Sequence, residues 1–151
     1  MTGFRPLLPA VQDAVCAAVS AELLALPGEV ACSLGYPAGG LQDRQVWVSG
    51  QADVTHPYHT SGGDARGEEG QVAVHILVTM TSDVMSEPRD EALALAGVLE
   101  DALAVDRTLG GLVDSVFVGA MHVEEGIPEE RTRQYGVTLR LAYSGSSAVS
   151  E

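Results

Sequence analysis

Lysine is absent from this chain of 151 residues, whose basic residues are 8 arginines against 21 acidic residues. The net charge of −13 disfavours two classes of partner. Binding to the phosphate backbone of nucleic acid needs clustered lysine or arginine. Attraction to an anionic membrane surface needs the same residues. We therefore expect neither specific nucleic-acid binding nor membrane binding.

Cysteines and long apolar runs are also scarce. The two cysteines, Cys16 and Cys32, are too few for a disulfide framework, and there is no CxxC motif. Cys16 lies in an apolar helical stretch and is expected in the core, which favours a reducing, intracellular setting. No apolar run approaches the roughly 20 residues of a transmembrane helix. Gln12 and Asp13 interrupt the N-terminal stretch where a signal peptide would be most apolar, so we expect that stretch to belong to the mature fold.

Hydrophobic residues make up 46% of the chain, enough at this length for one domain with its own core. Helical spacing of apolar residues predicts helices over residues 8–26 and 88–105. Pro27 and Gly28 are expected to end the first helix, and Ser86 or Glu87 to cap the second. The second helix is expected to bury one stripe: Ala92, Leu95, Ala96, Leu99, Ala102 and Leu103.

Alternating patterns predict five strands, and Gly50 predicts a bulge or a bend in the second of them. The third is apolar on both faces and is expected to be central, whereas the last has one polar face exposed to water. In the fourth, we expect Val116, Val118 and Ala120 on one face and Phe117 and Met121 on the other. The strands are expected over residues 30–35, 46–54, 71–81, 113–123 and 132–143.

The remaining segments predict a long exposed loop over residues 55–70, an acidic turn over 124–131 and a flexible polar tail over 144–151. The element order predicts an α+β fold: an antiparallel or mixed sheet of about 4–5 strands with two helices packed on one face. We expect residues 1–143 to form a single domain.

No set of polar residues converges by sequence on a catalytic site, so we predict neither catalytic residues nor a cofactor. The spacing of His56 and His59 allows a metal site completed by Asp53 or Asp64, but an exposed loop carrying two histidines fits the composition better. The acidic clusters are expected on the solvated surface: Glu68, Glu69, Glu87, Asp90, Glu91, Glu100, Asp101, Glu124, Glu125, Glu129 and Glu130. The strand histidines His75 and His122 are expected to be satisfied core or face residues, and Trp47 to pack in the core or at a subunit interface.

One segment, EALALAGVLEDALAVDRTLGGLVDSVFV over residues 91–118, resembles the tail terminator and tail-completion proteins of long-tailed, siphovirus-like bacteriophages. The likeness is strongest to the proteins of actinobacterial phages. In physical terms the motif is a helix stop followed by re-entry into the sheet, so it marks a fold and not a catalytic site. Its residues are Asp106, Thr108, Leu109, Gly110, Gly111 and Val113.

The resemblance implies a structural role in the virion, at the head-proximal end of the tail, after assembly in the host cytoplasm. Such proteins form a hexameric ring that caps the tail tube protein, stops tube polymerisation and joins the head–tail connector. DNA passes through the lumen without specific binding, and an acidic lumen wall would repel it. A closed ring needs heterologous contacts between neighbouring subunits. The candidates for these contacts are His56, Tyr58, His59, Glu124, Glu125, Glu129, Glu130, Arg131 and Arg133.

Two alternatives stay open at this stage. The chain can be another neck or tail-completion subunit with a related fold, or a small metal- or ligand-binding domain that uses the loop from His56 to His59. A ring without a ligand pocket favours the first class, whereas a monomer or dimer with a well-formed pocket favours the second.

Overall fold

Two helices cover one face of a mixed six-stranded sheet in the computed structural model, which describes residues 3–4, 6–24, 26, 32–35, 43–56 and 65–150. The fold is therefore α+β, as predicted, with slightly more strands than expected. The helices are α1 (Leu8–Leu23) and α2 (Ser86–Val105). The strands are β1 (Gly3–Phe4), β2 (Cys32–Leu34), β3 (Arg44–Thr55), β4 (Ala65–Thr81), β5 (Ser115–Glu129) and β6 (Thr132–Ser150).

The sheet is built around the two long strands β4 and β6, which pair antiparallel along their whole length. β3 pairs antiparallel with the other side of β4, and β2 adds parallel to β3. β5 and the short β1 pair with the outer side of β6. β4 thus lies between two strands, which is the central position that its two apolar faces predicted.

The core lies between the helices and the inward face of the sheet. α1 contributes Val11, Val15, Val19 and Leu23, all fully buried at its helical spacing. The predicted stripe of α2 is buried apart from Ala102, which is half-buried. Each fully buried valine or leucine contributes about 1.5–3 kcal/mol relative to its exposed state. The sheet contributes residues of four strands, alternate ones on β3, β4 and β6 and a single one on β5: Val46, Val48, Val72, Val74, Ile76, Val78, Val116, Tyr135, Val137, Leu139, Leu141 and Tyr143.

The predicted loop over residues 55–70 is wrong at its two ends, at Thr55 and over residues 65–70, whereas residues 57–64 lie outside the described residues. β3 continues to Thr55 and β4 begins at Ala65, with Thr55 paired to Glu69. The glycines and charges of this stretch suggested a loop, but residues 65–70 pair with β6 throughout, and Glu69 and Gly70 pair with β3 as well. This pairing satisfies backbone polar groups of the stretch, which outweighs the low strand propensity of its residues.

The predicted acidic turn and the predicted flexible tail also belong mostly to strands. β5 runs to Glu129 and β6 begins at Thr132, which leaves only Glu130 and Arg131 in the turn. Charged residues are tolerated there because β5 is an edge strand open to water. At the other end, β6 continues because β4 extends back to Ala65 and pairs with residues 144–148, while β1 pairs with Val149 and Ser150.

Two local details differ from the sequence expectations. A register shift between Val118 and Ala120 turns the strand over, so Met121 shares the inward face with Val118 and not the outward face with Phe117. The position before α2 is Met85, whose side chain makes no capping hydrogen bond, so neither Ser86 nor Glu87 is the cap. The predicted bulge or bend at Gly50 is confirmed, because the pairing register with β4 shifts between Val48 and Ala52.

Candidate functional site

The outward face of the sheet carries a row of three cross-strand neighbours from β3, β4 and β6. The rings of Trp47 and His75 stack with their centroids 5.1 Å apart and their planes inclined by 25°. The Nδ1 atom of His75 lies 3.0 Å from the hydroxyl oxygen of Thr138 on the next strand. All three side chains are half-buried. The row therefore forms an ordered surface and not a part of the core. Trp47 was predicted in the core or at a subunit interface, and its half-buried position on this surface is intermediate between the two.

The same face contains two depressions that share Asp53 and Gln71. One, of about 440 Å³, is lined by residues that include Thr55, Glu69 and Phe117. The other, of about 290 Å³, includes His75, Thr138 and Arg140. Partial burial, and secondarily the nearby positive charge of Arg140, lower the pKa of His75 below its ordinary value of 6.5. The neutral imidazole is therefore favoured at neutral pH, and its contact with Thr138 makes His75 a satisfied residue of the sheet face.

β5 forms an exposed edge that combines apolar and acidic side chains. Within the described residues it pairs with β6 alone, and after Val116, whose amide donates to the backbone oxygen of Arg107 at 2.7 Å, its other side offers free backbone groups. Phe117, Met121, Val123 and Ile127 are between 41% and 62% exposed. Exposed edges with apolar residues are prone to pair with another chain, and edge charges restrict which chain can do so.

The predicted interface residues fall into two separate groups. His56 is exposed at the end of β3, and its Nδ1 atom lies 3.1 Å from the backbone oxygen of Gly67. Tyr58, His59 and Asp64 lie outside the described residues. In the part of the chain that the structure describes, no three histidine, cysteine, aspartate or glutamate residues are grouped to hold a metal ion.

The second group lies on the β5–β6 hairpin. Glu124, Glu125, Glu129, Glu130 and Arg131 are exposed, whereas Arg133 is half-buried and donates a hydrogen bond to the backbone oxygen of Thr132 at 3.3 Å. The ion pairs between described residues include neither Arg131 nor Arg133. The turn is anchored through its backbone, because the amide of Ser82 donates to the oxygen of Arg131 at 2.8 Å. The exposed glutamates thus lie on a hairpin whose turn is fixed by a backbone hydrogen bond to Ser82.

The motif that carries the phage resemblance forms the turn between α2 and β5. The carboxylate of Asp106 accepts hydrogen bonds from the hydroxyl and amide of Thr108, at 2.9 and 3.1 Å, and from the amide of Gly110 at 2.7 Å. These bonds hold the pKa of Asp106 below its usual value. Leu109, Gly110 and Gly111 have positive φ angles, and Val113 re-enters the core as a buried residue.

Sequence reasoning missed one buried polar group. Glu68, expected on the surface, is fully buried on the inward side of β4. Its Oε2 atom accepts a hydrogen bond from the hydroxyl of Tyr143 at 2.8 Å, and its Oε1 atom accepts one from the amide of Leu7 at 3.1 Å. Leu7 is the N-cap of α1. The carboxyl group therefore caps a helix from a distant strand and has a structural role.

Sequence reasoning also missed a contact between the two cysteines. Their sulfur atoms lie 3.2 Å apart, with Cys16 on α1 and Cys32 on β2, and both thiols are free. A sequence separation of 16 residues across two elements gave no sign of this contact. Neither described helix is long and apolar enough to cross a membrane.

Comparison with known proteins finds a likeness in fold and none in sequence. No protein-family model matches the sequence, and no curated protein matches it. Among solved structures, the fold is similar to that of a chain in the virion of the native gene transfer agent (GTA) particle. The TM-score is 0.57 at 15% sequence identity, and the match covers 92% of this chain and 98% of the other. At this identity the likeness establishes the shared α+β fold.

Proposed function

We propose that the chain is a structural protein of a phage-like particle, and specifically a tail terminator. In this role it forms a ring, with six subunits as the expected number, at the head-proximal end of the tail tube. The ring contacts the tube protein on one side and the head–tail connector on the other, and it ends tube growth. DNA crosses the lumen without specific contacts.

The observation that carries the proposal is the fold shared with a chain of the gene transfer agent virion. The match extends over almost the whole of both chains, so the likeness belongs to the entire domain and not to one motif. The turn from Asp106 to Val113 supports the same assignment through its resemblance to tail terminators. The net charge of −13 is compatible with a lumen along which DNA slides.

The exposed edge of β5 supports assembly with further copies of this chain. Burial of its apolar side chains against a neighbour would contribute roughly 25 cal/mol per Å². Two β5 edges meeting around a twofold axis would bring their glutamates together, and this repulsion disfavours a symmetric dimer. A contact between β5 and a different patch of the neighbour avoids it, and a repeated heterologous contact closes into a ring.

The first experiment measures the mass of the purified chain by light scattering and images the same peak by negative stain. A hexamer mass and ring-shaped particles with a central hole are expected. A monomer at every concentration, with no rings in the images, would overturn self-assembly into a ring.

A matched pair of variants tests the interface. Ile127→Asp adds a charge on the exposed edge of β5, where Ile127 is 62% exposed, and should shift the mass toward the monomer. Leu24→Asp makes the same kind of change at an 81% exposed position just after α1 and should leave the assembly intact. If both variants, or neither, shifted the mass toward the monomer, the exposed edge of β5 would not be the interface.

A further inference from the structure

The contact between Cys16 and Cys32 brings two thiols together at the place where α1 packs on the edge strand β2. Cys16 lies between the buried residues Val15 and Val19 of α1. Cys32 is opposite Val46 of β3, on the inward face of the sheet. The Sγ atoms are 3.2 Å apart, and the Cys16 thiol also lies 3.5 Å from the backbone oxygen of Cys32. Packing of α1 on β2 thus holds the two sulfur atoms in contact.

The separation is small enough for a covalent bond to form without rearrangement of either element. A disulfide has a sulfur–sulfur distance of about 2.05 Å, so the two atoms need to approach by roughly 1.1 Å. Rotation of two cysteine side chains supplies a shift of this size. The thiols are half-buried, so a small oxidant can reach them after a limited local opening.

We propose that Cys16 and Cys32 form a thiol–disulfide exchange site, at which a small-molecule disulfide such as oxidised glutathione converts the pair into an intrachain disulfide. The bond fastens α1 to β2, the outermost strand on that side of the sheet. The inference stands on the contact between the two sulfur atoms and is independent of the role in a virion.

The reaction proceeds by two exchange steps. The thiolate of one cysteine attacks a sulfur of oxidised glutathione, forms a mixed disulfide and releases one glutathione thiolate. The thiolate of the second cysteine then attacks the protein sulfur of the mixed disulfide and releases the second glutathione. The protein loses two protons and two electrons, and the oxidant becomes two molecules of reduced glutathione.

The reduced pair is stable until such an oxidant is present. Burial, and then the contact with Cys16, raise the pKa of the Cys32 thiol well above its ordinary range. The thiolate of Cys32 is therefore scarce, and the second exchange step depends on the proximity of the two sulfur atoms and not on a reactive thiolate. This proximity makes the mixed disulfide short-lived.

The test treats the folded full-length chain with oxidised glutathione and measures its intact mass. Wild type should lose two hydrogen atoms and retain no glutathione, whereas Cys16→Ser and Cys32→Ser should each retain one glutathione. Cleavage after Glu22 and Glu29 separates the two cysteines, so a linked peptide pair identifies the bond, and reduction should release it. Trypsin does not serve here because Arg5 and Arg44 enclose both cysteines in one peptide.

Thermal unfolding supplies a second measurement. The disulfide closes a loop between residues 16 positions apart, and a loop of this size should raise Tm by about 6–12 °C in a chain of this length. Three results would overturn the proposal: glutathione retained on wild type, disulfide-linked dimers, or two thiols that stay reduced in the folded chain while the urea-unfolded chain is oxidised.

Discussion

The hydroxyl of Tyr143 donates a hydrogen bond of 2.8 Å to the Oε2 atom of Glu68, and both residues are buried on the inward face of the sheet. The other carboxyl oxygen accepts from the amide of Leu7 at the start of α1. One acidic side chain therefore connects β4, β6 and the N-terminus of a helix. Its carboxyl group thus satisfies one of the backbone amides that the first turn of a helix leaves without an intrahelical partner. Burial and the bond to Glu68 also raise the pKa of Tyr143, so the phenol stays protonated and remains a donor.

The first prediction is that Tyr143→Phe and Glu68→Gln each lower the free energy of unfolding by about 1–3 kcal/mol. The phenylalanine leaves one buried carboxyl oxygen without its donor, and the glutamine replaces one of the two accepting oxygens by an amide nitrogen, which cannot accept a hydrogen bond. Urea unfolding monitored by circular dichroism measures both changes. Because the two residues share one bond, the double variant should cost less than the sum of the single variants.

Glu69 provides the matched control for this pair. It is the next residue of the chain and an acid of the same size, but it is exposed on the outward face. Glu69→Gln should change the unfolding free energy by less than about 0.5 kcal/mol. Equal effects at positions 68 and 69, or strict additivity of the Glu68 and Tyr143 variants, would contradict the bond as the source of stability.

The second prediction concerns Gly70, which lies directly opposite Tyr143 on the neighbouring strand. A Cβ atom at this position would lie 2.5 Å from two carbon atoms of the Tyr143 ring. Gly70→Ala must displace that ring, which also holds the bond to Glu68. We expect a loss of about 1–3 kcal/mol in unfolding free energy, measured by the same urea titration.

Gly97 is exposed to solvent midway along α2 and provides the control. It separates the clash with the Tyr143 ring from the general effect of replacing glycine by alanine. A Cβ atom there meets nothing within 4 Å, so Gly97→Ala should raise stability by about 0.5–1 kcal/mol through helix propensity. The two Gly→Ala changes should therefore have opposite signs. A neutral Gly70→Ala would show that the ring is free to move away.

The inward faces of β4 and β6 were predictable because alternation is a local property of the strand. The valines from Val72 to Val78 and the residues from Tyr135 to Tyr143 repeat with a period of two, and burial follows this period. Continued back from Val72, the same period places Gly70 and Glu68 on the inward face. A buried acid contradicts the binary pattern, however, and only its contacts with Tyr143 and Leu7, distant in sequence, make it tolerable.

The features that could not be predicted from the sequence depend on contacts between segments distant in sequence. The strand character of residues 65–70 comes from pairing with β6 and, at Glu69 and Gly70, also with β3. That of residues 144–150 comes from the extended β4 and, at Val149 and Ser150, from β1. The contact between Cys16 and Cys32 depends on how α1 lies on β2, for which no local pattern exists. Of the candidate site, the sequence indicated the exposed acids of the hairpin but not the apolar side chains that accompany them on β5. The role of these residues in an interface stays a prediction.

The third prediction concerns Gly110 in the turn after α2. Its φ angle is +73°, in the left-handed region, and a Cβ atom there would meet nothing within 4 Å. Gly110→Ala should therefore lose about 1–2 kcal/mol from backbone strain alone. Gly50, in the bulge of β3, has equally open surroundings without a positive φ angle, and Gly50→Ala should not lower stability. Chemical denaturation of both variants makes the comparison. Similar losses at the two positions would rule out the φ angle as the cause.

The fourth prediction is a loss of stability on acidification that originates at His75. Its pKa is lower in the folded chain than its ordinary value of 6.5, so the unfolded chain binds the proton more tightly. The contribution of neutral His75 to the free energy of unfolding is complete above pH 6.5, and it decreases as the pH falls from 6.5 towards the pKa of the folded state. His75→Gln should reduce the difference in unfolding free energy between pH 7.5 and pH 5.5. Arg140→Gln should raise the folded pKa of His75 but leave it below 6.5, because burial is the larger cause.

Trp47 offers a direct measurement of this titration because it is the only tryptophan in the chain and stacks on His75. A protonated imidazole quenches the fluorescence of a stacked indole more strongly than a neutral one does. The emission of the folded chain should therefore fall with a midpoint below pH 6.5, and Arg140→Gln should move that midpoint upward. Asp53, which lines the same depression, is the nearby acid that provides the control. If Asp53→Asn removed the transition and His75→Gln left it in place, the carboxylate and not the imidazole would be the titrating group.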